Sequence, residues 1–221
     1  MATFIGIDGI RGGWVGVYTD ENKAQGFVPS SGLADLLADS YNRAMIDVPI
    51  GLPERGYRQC DVEARKIVGS TVFLGARWNV WKFHSYEDAN RHYWENKDKR
   101  ISQQLWSIRG KLQEVNEGIT PEQQSSLQET HPELVFWRLN GCALLKNKKK
   151  TGSGRAERIA LLKQRGFDEI EKWLDKRRGT GIGRDDLIDA CACALAAREH
   201  DARIPAAPEK DCRGLRMEMW Y

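Results

Sequence analysis

The chain has 221 residues, 41% of them apolar and 29% charged, with 34 Lys and Arg against 31 Asp and Glu and a formal net charge of +3. That length carries one large domain with an insertion, or two small ones, and the balance of charge is too even to identify a nucleic-acid binder by itself. There is no charged-then-apolar leader and no apolar run long enough to cross a bilayer, so a cytoplasmic location with no membrane partner is expected. The five cysteines, Cys60, Cys142, Cys191, Cys193 and Cys212, are odd in number and lack the paired spacings of zinc sites. They are read as reduced packing residues with no disulfide partner.

In chain order, residues 3–8 and 13–19 have strand character around the turn Gly9–Gly13, and a third strand is expected near residues 25–29. Three antiparallel strands are the simplest arrangement. Ser31 is expected to cap a short helix to about Asp39, and residues 44–48 form a buried-looking strand that carries Asp47 and stops at Pro49. Residues 54–126 are polar and rich in Trp, with helical periodicity over 61–68, 86–94 and 101–115, which predicts a mostly helical insertion after the fourth strand. A fifth strand at 127–130 leads into a helix from Pro132 to Leu139. The run KNKKKTGSG, Lys146–Gly154, is too charged and Gly-rich to pack, and is followed by helices at 155–164, 168–176 and 184–200 and an extended tail. The 221 residues are thus expected to form a single domain.

Charge is placed unevenly. From Arg138 to Arg178 there are thirteen Lys or Arg against five Asp or Glu, a block that would meet phosphates or simply be a solvated helical surface. Trp78, Trp81, Trp94 and Trp106 stand among charged residues in the middle of the chain, where indoles stack on bases or, more commonly, belong to a core.

The acids are the chemically informative residues. Asp8 interrupts the apolar run Phe4, Ile5, Ile7 where the first strand ends, Asp47 ends the fourth, and Asp186 and Asp189 share a face of the last long helix. That helix, DDLIDACACALAA, is nearly free of large side chains, so it can approach a sheet closely and bring its acids to Asp8. Carboxylates in apolar elements are costly to bury unless a charge compensates them, and oxygen ligands in this number suit Mg²⁺ or Mn²⁺. Each acid alone has a plain alternative: Asp185 complements the helix dipole, and Glu133 sits where a capping acid belongs. Arg58, Asp61 and Arg65 recur one helical turn apart, either as a charged ladder or as the lining of a cleft that holds a phosphate or carboxylate.

Seven ordered blocks, GIDGIRGGWV, IDVPIGLP, RQCDVEAR, ISQQLWSIRGKLQEVN, ETHPELVFWRL, the Lys and Gly-Arg segment around Lys150–Arg158, and DDLIDACACALAA, resemble the blocks of domain-of-unknown-function family 429 over nearly the whole chain. One departure is the stretch Phe73–Phe83, which carries GARWNVWKF where a shorter Pro-containing turn is expected. The family is described as predicted nucleases, so the resemblance implies an α/β, RNase H-like mixed five-stranded sheet flanked by helices. It also implies Asp8, Asp47, Asp186 and Asp189 as ligands of Mg²⁺ or Mn²⁺, with Glu133 and His131 in the same cleft.

The function expected on that basis is metal-dependent hydrolysis of DNA or RNA phosphodiesters by Asp8, Asp47, Glu133, Asp186 and Asp189. Arg11, Arg58, Arg65, His131, Lys148, Lys150, Arg155 and Arg158 are the candidate substrate contacts, and nucleic acid is the expected partner. Two other classes stay open. The strand and Gly turn at GIDG also resemble the first phosphate loop of sugar kinases and actin-like ATPases, although only one copy of that core is present. The acids would also serve a binding protein that folds around a structural ion. The sequence carries no signal for an oligomeric state.

Overall fold

The structure, a computed structural model, describes residues 2–221. In chain order the elements are β1 (Phe4–Ile10), β2 (Gly13–Thr19), β3 (Ala24–Ser30), α1 (Leu33–Leu36), β4 (Arg43–Ile46), α2 (Gln59–Val68), α3 (Tyr86–Glu95), α4 (Gln103–Ser107) and α5 (Arg109–Gly118). There follow β5 (Leu127–Glu129), α6 (Pro132–Leu139), α7 (Gly152–Lys163), α8 (Ile170–Lys176), α9 (Arg184–Glu199) and the two-residue strands β6 (Arg203–Ile204) and β7 (Met219–Trp220). Contacts divide the chain into two compact units. The first takes the chain up to Asp47 with Ser126–Ala202 and Trp220–Tyr221, and the second takes Val48–Ser125 with Arg203–Met219.

The first unit is an α/β structure with a mixed five-stranded sheet in the order β3-β2-β1-β4-β5, in which β1, β2 and β3 are antiparallel and β4 and β5 run parallel to β1. The β1–β2 hairpin closes over Arg11 and Gly12, and Gly12 adopts φ 80°, a conformation that side chains rarely accept. Apolar residues occupy the strand positions on both faces: Ile5 and Ile7 on one, Val15, Val17 and Met45 on the face that packs against α9. The small side chains of α9 permit an unusually close approach at Gly6. A Cβ there would lie 1.9 Å from the backbone nitrogen of Ala194 and 2.2 Å from the carbonyl oxygen of Ala190. Phe136 of α6 and Ile170 and Trp173 of α8 close the core around α9.

In the second unit, α2 to α5 supply the helical segment that the periodicity predicts. The expected single helix over 101–115 is instead broken at Ile108, because α4 ends on a turn at that residue before α5 begins. Asn116 anchors this unit from inside: its Nδ2 donates to the carbonyls of Pro49 (2.8 Å) and Leu112 (2.9 Å), and its Oδ1 accepts from the Gly51 amide (2.9 Å). A buried amide satisfied on three sides is a strong local constraint. Trp78 and Trp81 meet edge to face at 5.2 Å, whereas Trp94 is 65% exposed.

Three other expectations are corrected. Helix α1 is a single turn with Gly32, not Ser31, at its N-cap, and no side chain caps it. The segment Lys146–Gly154 is packed at its C-terminal end, because the lysine run is tied to the first turn of α7 as described below. Of the five cysteines, all free, Cys60, Cys191 and Cys193 are buried as packing residues, but Cys142 and Cys212 are exposed.

Candidate acidic site

Strand pairing sets the first two acids. Ile7 and Ile46 are register partners on the parallel strands β1 and β4, and the Asp47 amide donates to the Ile7 carbonyl at 3.0 Å, so Asp8 and Asp47 leave the sheet side by side. Asp8 alternates with Ile7 and therefore shares the α9 face with Gly6. The close contact at Gly6 brings the acidic N-terminal half of α9 over the same edge. Asp8 is 9% exposed and Asp189 4%. The Asp8 Oδ1 accepts from the Gly9 amide at 2.7 Å, and the buried Asp189 Oδ1 has no hydrogen-bond partner among the described residues.

The positive charge in this cluster comes from Lys149. Its Nζ donates to Asp189 Oδ2 in an ion pair whose Asp189 side chain is 6% exposed. The lysine is held there by a short backbone clamp. Thr151 caps α7 by accepting from the Gly154 amide at 3.0 Å, while the Lys148 carbonyl accepts from the Thr151 amide at 3.0 Å and from its hydroxyl at 2.8 Å. Glu157 accepts from the Asn147 amide at 2.9 Å. Gly154 is required for this packing, since a Cβ on it would stand 2.0 Å from the Lys148 carbonyl oxygen.

One ammonium does not balance three carboxylates. Burial drives the Asp8 carboxyl well above the ordinary carboxylate range, and Asp189, Asp47 and Asp186 push it further against the pull of Lys149. Burial likewise pushes Asp47 up to about 6, opposed by Lys149 and reinforced by Glu133. Asp189 is pushed up to about 7, again by burial first and against Lys149. Burial alone would lower the Lys149 pKa, but Asp189, Asp47 and Asp8 outweigh it and hold the ammonium above the usual lysine range. The site therefore has an excess of negative charge with protons bound near neutral pH.

The other residues singled out in the sequence fall into pairs and caps. Asp186 accepts from the Gly183 amide at 3.0 Å and caps α9. Glu133 and Arg158 engage each other, Nε to Oε1 at 3.0 Å and Nη2 to Oε2 at 2.6 Å, while Arg158 Nη1 donates to the Gly154 carbonyl at 2.9 Å. Arg155 pairs with Asp185 at 2.7 Å, and His131 Nδ1 accepts from the Glu133 amide at 3.2 Å as the N-cap of α6. Lys148, Lys150 and Arg11 are exposed. Arg58 and Arg65 belong to the second unit. There Arg58 is buried with its Nη2 donating to Cys60 Sγ at 2.8 Å and lying 3.6 Å from Asp61, while Arg65 Nη1 donates to the Val72 carbonyl at 3.0 Å.

Sequence reasoning passes over Lys149 and names its neighbours on either side. In a run of lysines nothing local marks the one that turns inward. The only sequence signal is the Thr-x-x-Gly cap that immediately follows, which fixes where the chain must fold back.

Among the described residues no group of three or more His, Cys, Asp or Glu stands in an arrangement that holds a metal ion as it is. The donor chemistry of Asp8, Asp47 and Asp189 nevertheless fits Mg²⁺ or Mn²⁺. The set is all oxygen, under-compensated in charge and fixed on rigid elements, and it includes the unpartnered Asp189 Oδ1.

A family model described as "Protein of unknown function (DUF429)" matches residues 6–210, which include all the acids above. The chain belongs to the DUF429 family. No curated protein and no solved structure matches it. Every element of the DUF429 sheet and the whole of α9 lie within or at the edge of the matched span. No helix among the described residues is long and apolar enough to cross a membrane.

Proposed function

We propose that this DUF429 protein is a divalent-metal-dependent nuclease with an RNase H-like fold, acting on phosphodiester bonds of DNA or RNA. The observation that carries the reading is the meeting of Asp8, Asp47 and Asp189 from the ends of two central parallel strands and from the last helix. The sheet order β3-β2-β1-β4-β5, with three antiparallel strands followed by two parallel ones, is in keeping with that fold.

Asp8, Asp47 and Asp189 would hold Mg²⁺ or Mn²⁺, with Asp186 at the rim. When bound, such an ion polarises the phosphodiester and acidifies water. The chain's own groups do the rest. In the ion-free chain burial pushes Asp47 up to about 6 and Asp189 up to about 7, so an incoming ion would displace protons from them. The buried Asp189 Oδ1, with no hydrogen-bond partner among the described residues, is the oxygen with capacity to take the ion. Lys148 and Lys150, exposed beside the site, would bind phosphates, and the Glu133–Arg158 pair positions the lysine segment through the Gly154 carbonyl.

The test is cleavage of single-stranded, duplex and branched DNA and of RNA by the purified chain with Mn²⁺ or Mg²⁺. Cleavage that Asp8→Asn abolishes supports the reading, and cleavage that survives in Asp8→Asn overturns it.

The Lys149–Asp189 ion pair favours a second reading, in which the acids and the lysine are a folding and binding device without catalysis. On that reading the protein cuts nothing, and Asp189→Asn destabilises it strongly by breaking the ion pair that ties the lysine segment to α9.

A further inference from the structure

Lys149 sits among the carboxylates in the manner of a bound cation. Its Nζ meets Asp189 Oδ2, and Asp47 and Asp8 also stabilise its charge. An ammonium and a divalent ion cannot occupy one carboxylate cluster without strong repulsion: two such charges a few ångströms apart repel by several kcal/mol even with an effective dielectric of about 20. The lysine is on a side chain with four rotatable carbons and is partly exposed, at 29% for the side chain, so it has an exit. The backbone that carries it does not, being pinned through Lys148, Thr151 and Gly154.

We infer that Lys149 is a tethered counter-cation, which seals the acidic site in the ion-free protein and is expelled when a divalent cation binds Asp189, Asp47 and Asp8. The inference rests on the metal-site reading above and adds an occupant to it. The expelled ammonium joins Lys148 and Lys150 at the surface, where three adjacent positive charges would face a phosphate backbone. Metal binding and readiness for a polyanionic substrate are thereby one event.

The test uses the full chain and Mn²⁺ alone. Titration calorimetry first establishes whether Mn²⁺ binds. Limited acetylation read by mass spectrometry then follows Lys148, Lys149 and Lys150 with and without saturating Mn²⁺. Lys149 should be protected in the ion-free protein and become as reactive as its neighbours with Mn²⁺, while Lys148 and Lys150 change little. Lys149→Gln should bind Mn²⁺ on the order of tenfold more tightly than the unaltered chain, and Lys149→Arg should not. Mn²⁺ binding that leaves Lys149 equally protected, or Lys149→Gln binding no more tightly, overturns the tethered cation and leaves the metal site standing. Absence of Mn²⁺ binding in both the unaltered chain and Lys149→Gln overturns the metal site as well. Because acetylation is read on the unaltered chain, the result stands even if Lys149→Gln fails to fold.

Discussion

Arg158 holds Glu133 with two parallel hydrogen bonds, 3.0 and 2.6 Å, across 25 residues of sequence, and its third nitrogen holds the Gly154 carbonyl. Arg158 is 3% exposed and the Glu133 side chain 13%. Removing one member of such a pair leaves a buried charge without compensation. Arg158→Ala should lower unfolding free energy by about 3–5 kcal/mol, measured by urea denaturation. Arg158→Lys should recover only part of it, since an ammonium cannot reproduce the planar two-pronged contact.

The Gly6 contact predicts an intolerance with no polar component. Gly6→Ala places a methyl group 1.9 Å from the Ala194 nitrogen, with backbone on both sides and no flexible side chain to yield. The loss should reach about 3 kcal/mol or more, at the top of the range for overpacking. Gly26→Ala on the edge strand β3, where a Cβ meets nothing within 4 Å, should change stability by less than about 0.5 kcal/mol. Equal shifts in the two denaturation midpoints would contradict the close helix–sheet contact.

The acidic cluster predicts a pH dependence of definite sign. Asp47 and Asp189, pushed up to about 6 and about 7, and Asp8, held well above the ordinary carboxylate range, bind protons more tightly folded than unfolded, so in the window above that range the folded state holds the extra protons. The contribution of Asp47 and Asp189 to stability is therefore greatest at the acidic end of that window and is lost as pH rises through about 6 and about 7, and that of Asp8 is lost in the same sense as pH rises through its raised pKa. Asp8→Asn, which keeps an oxygen for the Gly9 amide, should raise the stability of ion-free protein at pH 8 by about 1 kcal/mol. It should bring little gain near pH 4, where Asp8 is protonated. Melting temperatures of both proteins across pH 4–8 decide this, and a gain that is constant with pH would refute it.

Thiol chemistry reports on the core around α9. Burial and neighbouring acids raise the Cys191 and Cys193 thiols far above the ordinary range, whereas Cys142 and Cys212 are exposed. A thiol reagent should modify Cys142 and Cys212 in the native protein and reach Cys191 and Cys193 only on unfolding. Mass spectrometry of the labelled peptides checks it. Native labelling of Cys193 would mean that α9 does not lie as described.

Much of the first unit was legible because its signals are local. Alternation marks β1 and β2, Gly12 marks their turn, and the small residues of α9 announce a helix that packs closely. Asp8 and Asp47 could be assigned to one site in advance because each stands where a strand ends, and the parallel pairing of β1 and β4 then sets them side by side. What escaped depends on distant partners. Glu133 and Arg158 read separately as an acid for catalysis and a cation for phosphate, since a pairing across 25 residues leaves no periodic trace. Lys149 escaped for the same reason, its partner Asp189 being 40 residues away. The break at Ile108 escaped because a turn between two amphipathic helices preserves most of the apolar spacing.

The clamp around Thr151 frees the response of the site from any movement of the backbone. The bonds from the Thr151 amide and hydroxyl to Lys148, and from the Gly154 amide to Thr151, all involve backbone or capping atoms that a change in the Lys149 side chain leaves untouched. Releasing the ammonium then takes only the breaking of its ion pair with Asp189 and a rotamer change, with no loop to open or helix to melt. Exchange of lysine for a divalent ion would be paced by the ion shedding its own water, and Mn²⁺, which does so more readily than Mg²⁺, would enter first.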